Sequence, residues 1–109
     1  MRRIALSFVL AVVLASVAHA ATTEVKIKDN FFNPERVTIE KNDKVTWRWK
    51  GSDVHNVAIK KPESSKIAVR SSIKTSGHYT HQFGRVGTWR ILCETHPRKM
   101  RMKVVVRSP

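Results

Sequence analysis

The chain has 109 residues, with 21 basic and 8 acidic side chains and a formal net charge of +13. This length accommodates one small domain with one modest core, so no second domain is expected. The single cysteine excludes the paired disulfides of many small exported domains, and it leaves three roles for that thiol: a free thiol, an intermolecular link or a metal ligand.

The first predicted element is a secretory signal peptide over residues 1–20. The basic start MRR precedes an almost wholly apolar run, IALSFVLAVVLASV, and AHA at residues 18–20 places alanines where signal peptidase requires small residues. The apolar run is too short to span a bilayer comfortably, which favours cleavage after Ala20 over a retained anchor. We expect a mature domain over residues 21–109, periplasmic or secreted, without stable membrane insertion and with 19 basic and 8 acidic residues.

After residue 20 the pattern predicts an all-β domain. Apolar and polar residues alternate with a period of two in EVKIKD, RVTIE and KVTWRWK, and β-branched and aromatic residues occupy the apolar positions. Four aromatic residues are expected in the core: Trp47, Trp89, Phe32 and Phe83. Turn dipeptides such as NP and ND separate the segments. About seven short strands at this spacing predict a β-sandwich.

The segment CETHPRKM contains the only cysteine. The period-two pattern of TWRILC places Cys93 on the core side near the end of its strand, and Pro97 prevents the ladder from continuing, so residues 94–99 are predicted to form a loop. A loop this short between neighbouring strands would hold Cys93, His96 and Met100 near one point. His55 follows a turn and is in phase with the core-facing residues after it, so it is also expected to point inward at one end of the sandwich.

One thiolate, two imidazoles and one thioether form the expected donor set. Zinc sites rarely use a thioether, and calcium and magnesium prefer oxygen ligands. Two histidines and a cysteine with a weak axial methionine are the ligands of blue-copper electron-transfer sites, because thiolate and thioether suit Cu(I) and imidazole suits both oxidation states. The donor set therefore predicts one copper ion and the transfer of single electrons, without bond chemistry on a substrate.

These motifs resemble those of the cupredoxin family, and among its members the small plastocyanin- and amicyanin-like blue copper proteins. FNP at residues 32–34 resembles the family's early F-x-P, and DKVTW at 43–47 resembles its G-D-x-V-x-W. HNV at 55–57 resembles the first ligand motif, and GTWRILCETHPRKM at 87–100 resembles the ligand loop. The resemblance covers nearly all of the mature chain, and it implies a Greek-key β-sandwich, one copper ion and an electron-carrier role.

By position, the resemblance implies His55, Cys93 and His96 as equatorial ligands and Met100 as the axial ligand. It also implies that the side chain of Asn56 ties the first ligand strand to the loop after the cysteine. The ligand loop is one residue longer than is usual in the family, and a second methionine replaces the usual glycine. Met100 is favoured as the axial ligand, and Met102 stays open as the alternative.

Four other positions have open or less specific interpretations. Asn42 stands where the family usually has glycine, which is a mild change because asparagine tolerates positive φ. Trp49 stands where asparagine is common, and it would line either the site or the core. His78 and His81 are interpreted as ordinary strand or loop residues, since their spacing places them on opposite faces of an extended segment.

The basic residues alternate with core residues along the strands, as on a solvated sheet face. Aromatic residues at core positions offer no surface for base stacking, so nucleic acid is not an expected partner. Four cations lie at the predicted ligand loop: Arg98, Lys99, Arg101 and Lys103. They would dock a redox protein with an acidic surface, and the alternative is that they only aid solubility or hold the loop against anionic surfaces.

Two further functions are open at this point. A copper delivery or buffering module would use the same ligands, and the longer loop with Met100 and Met102 favours it. A Cys-His hydrolase is disfavoured, because a tight C-x-x-H loop offers neither an open nucleophile with a separate oxyanion hole nor an orienting acid. We therefore predict a single-electron carrier and no enzymatic activity.

Overall fold

Nine short strands make up the regular structure of residues 20–109, which a computed structural model describes. Apart from Ala20, the expected signal peptide lies outside the described residues. The strands are β1 (Thr22–Lys28), β2 (Phe31–Asn33), β3 (Arg36–Glu40), β4 (Lys44–Trp49), β5 (Ala58–Lys60), β6 (Ile67–Arg70), β7 (His78–Gln82), β8 (Gly87–Leu92) and β9 (Arg101–Arg107). Within this part of the chain there is no helix of the length and hydrophobicity needed to cross a membrane.

The strands form two sheets, one in the order β2-β1-β4-β7 and the other in the order β3-β9-β8-β5-β6. β1 runs parallel to β4 and β3 runs parallel to β9, and the other neighbours are antiparallel. Several neighbouring strands are not consecutive in the chain, as in a Greek-key sandwich. The prediction of an all-β Greek-key sandwich is confirmed, with nine strands instead of about seven.

The core lies between the sheets and is formed by the apolar phase of each strand. Trp47 and Phe83 are fully buried, and Phe32 and Trp89 are nearly so, as predicted. The edge of one ring meets the face of the other where Phe83 packs on Trp89, at a centroid distance of 5.0 Å. Burial of this apolar surface is the main favourable term in folding.

The two ends of the sandwich are closed by different segments. At one end, called the donor end, the loop at 93–100 meets the segment at 51–57 and the turn after β1. At the other, called the opposite end, the N–H of Asn42 donates to the carbonyl of Phe83 over 2.7 Å, and the N–H of Phe83 donates to the carbonyl of Asp43 over 2.9 Å. Asn42 has a φ of 78°, so the turn requires the positive φ that asparagine tolerates.

Candidate metal centre

The loop after β8 is closed by its own backbone hydrogen bonds. The N–H of His96 donates to the carbonyl of Cys93 over 3.1 Å, and the N–H of Met100 donates to the carbonyl of His96 over 3.0 Å. The N–H of Cys93 donates to the carbonyl of Met100 over 3.0 Å, at the point where the two strands separate. The predicted loop is confirmed, and it carries three of the predicted ligands on one closed segment.

Three potential donor atoms converge at the donor end. Cys93 Sγ lies 3.7 Å from His55 Nδ1 and 3.8 Å from His96 Nδ1. One ligand atom from each of these residues lies within 4.8 Å of the other two. Cys93 and His55 are fully buried, whereas the side chain of His96 is 25% exposed. The fold thus places His55 beside a cysteine that is 38 residues away in the chain.

The backbone of His55 is held from both sides. Its N–H and carbonyl exchange hydrogen bonds of 3.0 Å with Lys74, and Trp49 Nε1–H donates to the same carbonyl over 3.1 Å. The Nζ atom of Lys74 lies 4.7 Å from the centre of the Trp49 ring. Trp49 is 7% exposed, so this residue packs in the core and supports the donor end at the same time.

Asp29, directly after β1, orients the ring of His55. The Nε2 atom of His55 lies 3.0 Å from Asp29 Oδ1. Because an ionised carboxylate only accepts, Nε2 carries the proton and Nδ1 presents its lone pair on the side of Cys93. A carboxylate behind a metal-binding histidine fixes the tautomer and the ring orientation, and it raises the basicity of the ligand.

The carboxylate of Asp29 is held in turn by the loop after β4. It accepts hydrogen bonds from the backbone N–H groups of Ser52 and Asp53 over 2.9 and 3.0 Å. These two bonds, and then the bond from His55, hold the pKa of Asp29 well below its usual range. A Cβ atom at Gly51 would clash with this carboxylate, so the close approach requires glycine. Asp29 is therefore an ionised anchor at the donor end.

Asn56 joins the His55 segment to the loop, as expected. Its Oδ1 accepts the N–H of Glu94 over 2.7 Å, and its Nδ2 donates to Glu94 Oε1 over 2.8 Å. Arg70 on β6 donates to both carboxylate oxygens of Glu94 over 2.9 and 3.1 Å. The hydrogen bond from Arg70, followed by that from Asn56, lowers the pKa of Glu94. The residue after Cys93 is thus anchored to two neighbouring segments.

The two methionines of the ligand region have different environments. Met100 is fully buried, and its backbone bonds to Cys93 and His96. Met102 lies on β9, and its Sδ accepts a hydrogen bond of 3.3 Å from Trp47 Nε1–H inside the core. Because the sulfur of Met102 is engaged by Trp47, Met102 is the less available of the two thioethers.

Thr95 adds a hydroxyl group to the cluster. Its Oγ1 lies 3.0 Å from Cys93 Sγ and 3.0 Å from His96 Nδ1. The same hydroxyl donates to the carbonyl of Val54 over 3.1 Å. Which atom donates to the other in the contacts with the thiol and the imidazole depends on the protonation of Cys93 and the tautomer of His96, so Thr95 places one polar group beside both donors.

His96 is the donor that reaches the surface. Its Nε2 lies 3.5 Å from Asp53 Oδ2, and its ring lines a cleft together with Arg98 and Lys99. The cations predicted to surround the loop therefore include two that lie beside His96. The sheet beneath the loop carries the other two.

Arg101 and Lys103 begin β9 and lie on the outer face of the five-stranded sheet. The Nε of Arg101 donates to the carbonyl of Pro97 over 2.7 Å, which keeps this residue against the loop. Lys103 lies one pleat further from the loop, opposite Arg90. The four predicted docking cations are thus divided between two surfaces.

His78 and His81 both lie on β7, and neither joins the donor cluster. His78 is exposed, while the ring of His81 packs at 4.7 Å from that of Phe83. Burial lowers the pKa of His81 below its ordinary value of 6.5. Both residues lie on a strand, and their spacing places them on opposite faces, as predicted.

Sequence reasoning missed Asp29, Thr95 and the pair formed by Arg70 and Glu94. The only sequence signal for Asp29 is an acidic residue directly after a strand, which is common at strand ends. Glu94 and Thr95 belong to the segment CETHPRKM, but nothing in their residue types indicates that Thr95 contacts the sulfur of Cys93. Arg70, the partner of Glu94, is 24 residues away in the chain, and the pairing of β5 with β6 brings Arg70 near the loop.

The fold and the donor cluster define a small metal-binding β-sandwich protein. The family model described as the Cupredoxin-like domain matches residues 3–106. Amicyanin-alpha from Methylorubrum extorquens is 34% identical over 90 residues, which are 82% of this chain and 75% of that protein. The chain belongs to the cupredoxin family.

Solved structures agree with this assignment. The reduced Cu(I) form at pH 4 of a proline-to-glycine mutant of amicyanin superposes with a TM-score of 0.68 and 29% identity, covering 84% of this chain and 86% of that chain. A purple cupredoxin from Nitrosopumilus maritimus superposes with a TM-score of 0.68 and 22% identity, covering 78% and 99%. Because the identity to the purple cupredoxin is only 22%, this second similarity shows the fold alone.

The chemistry of the cluster fits a copper ion. His55, Cys93 and His96 are positioned to form a copper site, with one buried thiol and two imidazole nitrogens facing it. The cluster found among residues 20–109 includes no carboxylate oxygen, which disfavours calcium and magnesium. Thiolate and imidazole are the ligand types that copper takes in electron-transfer sites.

Proposed function

We propose that the protein is a type 1 copper protein that carries single electrons between redox partners, with His55, Cys93, His96 and Met100 as the copper ligands. The observation that carries this proposal is the convergence of three donor atoms within 4.8 Å around a buried thiol, on a cupredoxin fold. Bound copper supplies a one-electron couple between Cu(I) and Cu(II).

The residues of the chain hold the donors in place for both oxidation states. Trp49 fixes the backbone of His55, and Asp29 fixes its ring. Asn56 fixes the loop after Cys93. Because hydrogen bonds orient the donors before any change of charge, little rearrangement is needed. Full burial of Cys93 also keeps solvent from the sulfur, which suits a metal ligand better than an exposed nucleophile.

The test is the visible spectrum of the purified protein after addition of Cu(II). We expect an intense thiolate-to-copper absorption that colours the protein blue to green, with reversible loss of the colour on reduction. The same protein loaded with Zn²⁺ is the colourless control. A colourless copper adduct would contradict the proposal.

The alternative of copper delivery has less support than the sequence indicated. It depended on a longer loop with two available thioethers, but Trp47 engages the sulfur of Met102. Repeated oxidation and reduction without loss of copper would support the electron carrier. Rapid transfer of Cu(I) to a copper-free enzyme, with loss of copper on cycling, would support delivery.

We also propose that residues 1–20 are removed on export and that the domain over residues 21–109 acts in the periplasm or is secreted. The support is the signal-peptide pattern of residues 1–20. N-terminal sequencing of protein recovered from the periplasmic fraction should begin at Ala21. A cytoplasmic protein with an intact start would contradict this proposal.

An acidic redox partner is proposed to dock where His96 reaches the surface. Arg98 and Lys99 lie beside His96 and would attract a negatively charged partner, raising the association rate. At low ionic strength, the variant R98Q/K99Q should exchange electrons more slowly with an acidic redox protein, and added salt should remove the difference. A rate that does not respond to salt or to these substitutions would contradict docking at this surface.

A further inference from the structure

A row of four cations crosses the outer face of the five-stranded sheet. Lys103 on β9 lies opposite Arg36 on β3 and opposite Arg90 on β8, and Arg90 lies opposite Lys60 on β5. These four residues are called the cation row. With neighbouring strands about 4.8 Å apart, the row extends over about 14 Å.

Neighbouring side chains do not neutralise the cation row. Among residues 20–109, none of its four side chains has an ion pair, and none has a hydrogen bond to another side chain or to the backbone. Like charges directly opposite one another destabilise a sheet. The row therefore lowers the stability of the isolated domain, and an anionic partner would relieve the repulsion.

The outer face of the other sheet is built differently. Arg48 on β4 forms an ion pair with Glu24 on β1. Thr46 on β4 lies opposite Thr80 on β7, and their hydroxyl groups share a hydrogen bond of 2.8 Å. On this face Lys26 lies opposite Arg48, and the ion pair with Glu24 offsets the charge of that arginine. No ion pair of this kind is present in the cation row among residues 20–109.

The cation row borders a cleft of about 360 Å³ next to the donor end. Arg101 adds a fifth cation to the lining, Leu92 adds an apolar side chain, and Glu35 adds one carboxylate against the five cations. Leu92 directly precedes Cys93, and Arg90 lies three residues from Cys93, about 10 Å along an extended strand. A partner in this cleft would therefore contact the strand that ends at the cysteine.

We propose that the cation row docks an acidic segment of the protein partner, extended across the strands of the five-stranded sheet. About four extended residues span 14 Å, and the two alternate side chains that face the sheet lie about 7 Å apart, so each of two carboxylates reaches two neighbouring cations. An apolar side chain of the segment packs on Leu92. The identification of this partner as a redox protein rests on the proposed function, but the binding itself does not.

The shape and lining of the cleft distinguish an acidic protein from other polyanions. A concave cleft admits a peptide segment, whereas a bilayer surface is flat. No aromatic side chain is among the residues that line the cleft, so nucleobases have no surface on which to stack. Charge complementarity together with an apolar contact therefore favours an acidic peptide segment.

Poly-L-glutamate is the probe, titrated into the reduced copper-loaded protein while backbone NMR signals are recorded. Three proteins are compared: wild type, the row variant R90Q/K103Q, and the control variant K26Q/K44Q on the outer face of the other sheet. Both variants lose two positive charges at exposed strand positions. We expect shift changes in β3, β5, β8 and β9, and binding that is about two- to thirtyfold weaker in the row variant than in the control.

Equal weakening in the two variants would overturn the proposal, because net charge alone would then explain binding. Shift changes confined to residues 96–99 would also overturn it, in favour of docking only at the exposed histidine. Tighter binding of oligothymidylate or of phosphatidylglycerol vesicles at the row would assign the surface to nucleic acid or to membrane. The NMR titration does not depend on the colour of the copper site. If the copper-loaded protein is coloured but poly-L-glutamate does not bind at the cation row, the result refutes this inference and leaves the proposed function intact.

Discussion

The two ends of the sandwich use the same device to close a turn, but they enclose different chemistry. At the opposite end, the carboxylate of Asp43 accepts the backbone N–H groups of Ala21 and Glu40, each over 3.0 Å. At the donor end, Asp29 also accepts two backbone N–H groups and, in addition, the Nε2–H of His55. Both carboxylates satisfy backbone donors that the strands leave unpaired.

The difference teaches that closing a turn and positioning a ligand are separate functions. Asp43 has the first function, because its carboxylate accepts the backbone N–H groups of Ala21 and Glu40. Asp29 has both, because the His55 ring lies between it and Cys93. Matched substitutions at the two ends should therefore separate effects on stability from effects on copper.

The largest expected effect is that of Cys93→Ser at the donor end. A hydroxyl oxygen does not replace the thiolate, so the copper-loaded variant should lack the intense visible absorption entirely. The measurement is the visible spectrum, with backbone NMR shifts at the opposite end as the control for folding. A variant that stays coloured would show that the sulfur of Cys93 is not a copper ligand.

The second prediction compares the methionine near the donors with the one in the core. Met100→Ala and Met102→Ala should each lower the free energy of unfolding by about 2–5 kcal/mol, because each removes a buried side chain. Only Met100→Ala should shift the reduction potential of the copper. Urea denaturation and redox titration measure the two effects. If Met102→Ala shifts the potential and Met100→Ala does not, the ligand assignment is wrong.

The third prediction compares the two carboxylates. Asp29→Asn should weaken copper binding by about 10- to 100-fold, because an amide no longer fixes the His55 tautomer with a negative charge. Asp43→Asn should cost about 0.5–2 kcal/mol of stability and leave copper affinity unchanged. Competition with a chelator gives the affinity, and denaturation gives the stability. Equal affinities in the two variants would refute the positioning role of Asp29.

The smallest expected effect is a pH dependence at the opposite end, where His81 packs on Phe83. Burial lowers the pKa of His81 below 6.5, so at mildly acid pH the unfolded chain binds a proton that the folded chain resists. This contribution to stability is full above the unfolded pKa and decreases as the pH falls below it. The unfolding free energies of wild type and His81→Gln are measured at several pH values. On acidification, the stability of wild type should fall relative to that of His81→Gln. A difference independent of pH would contradict the prediction.

The local sequence pattern was sufficient to predict the strands and much of the donor end. Alternation with a period of two predicted that Cys93 faces inward, since neighbouring side chains on a strand point to opposite faces. A proline after the histidine predicted the end of β8, and spacing along one short loop placed His96 and Met100 near the cysteine. Asn42 stands where the family resemblance places a glycine, and its φ of 78° agrees with the expectation that asparagine tolerates positive φ there.

By itself, the sequence determined the period of each strand, the inward phase of Cys93 and the chemical types of the donors, because these depend on residues close together in the chain. The tertiary structure alone decided that Asp29 supports His55, that Trp47 binds the sulfur of Met102, and that four cations from separate strands form one row. Strand order and register make these residues neighbours, and both follow from the packing of the whole sandwich rather than from any local segment.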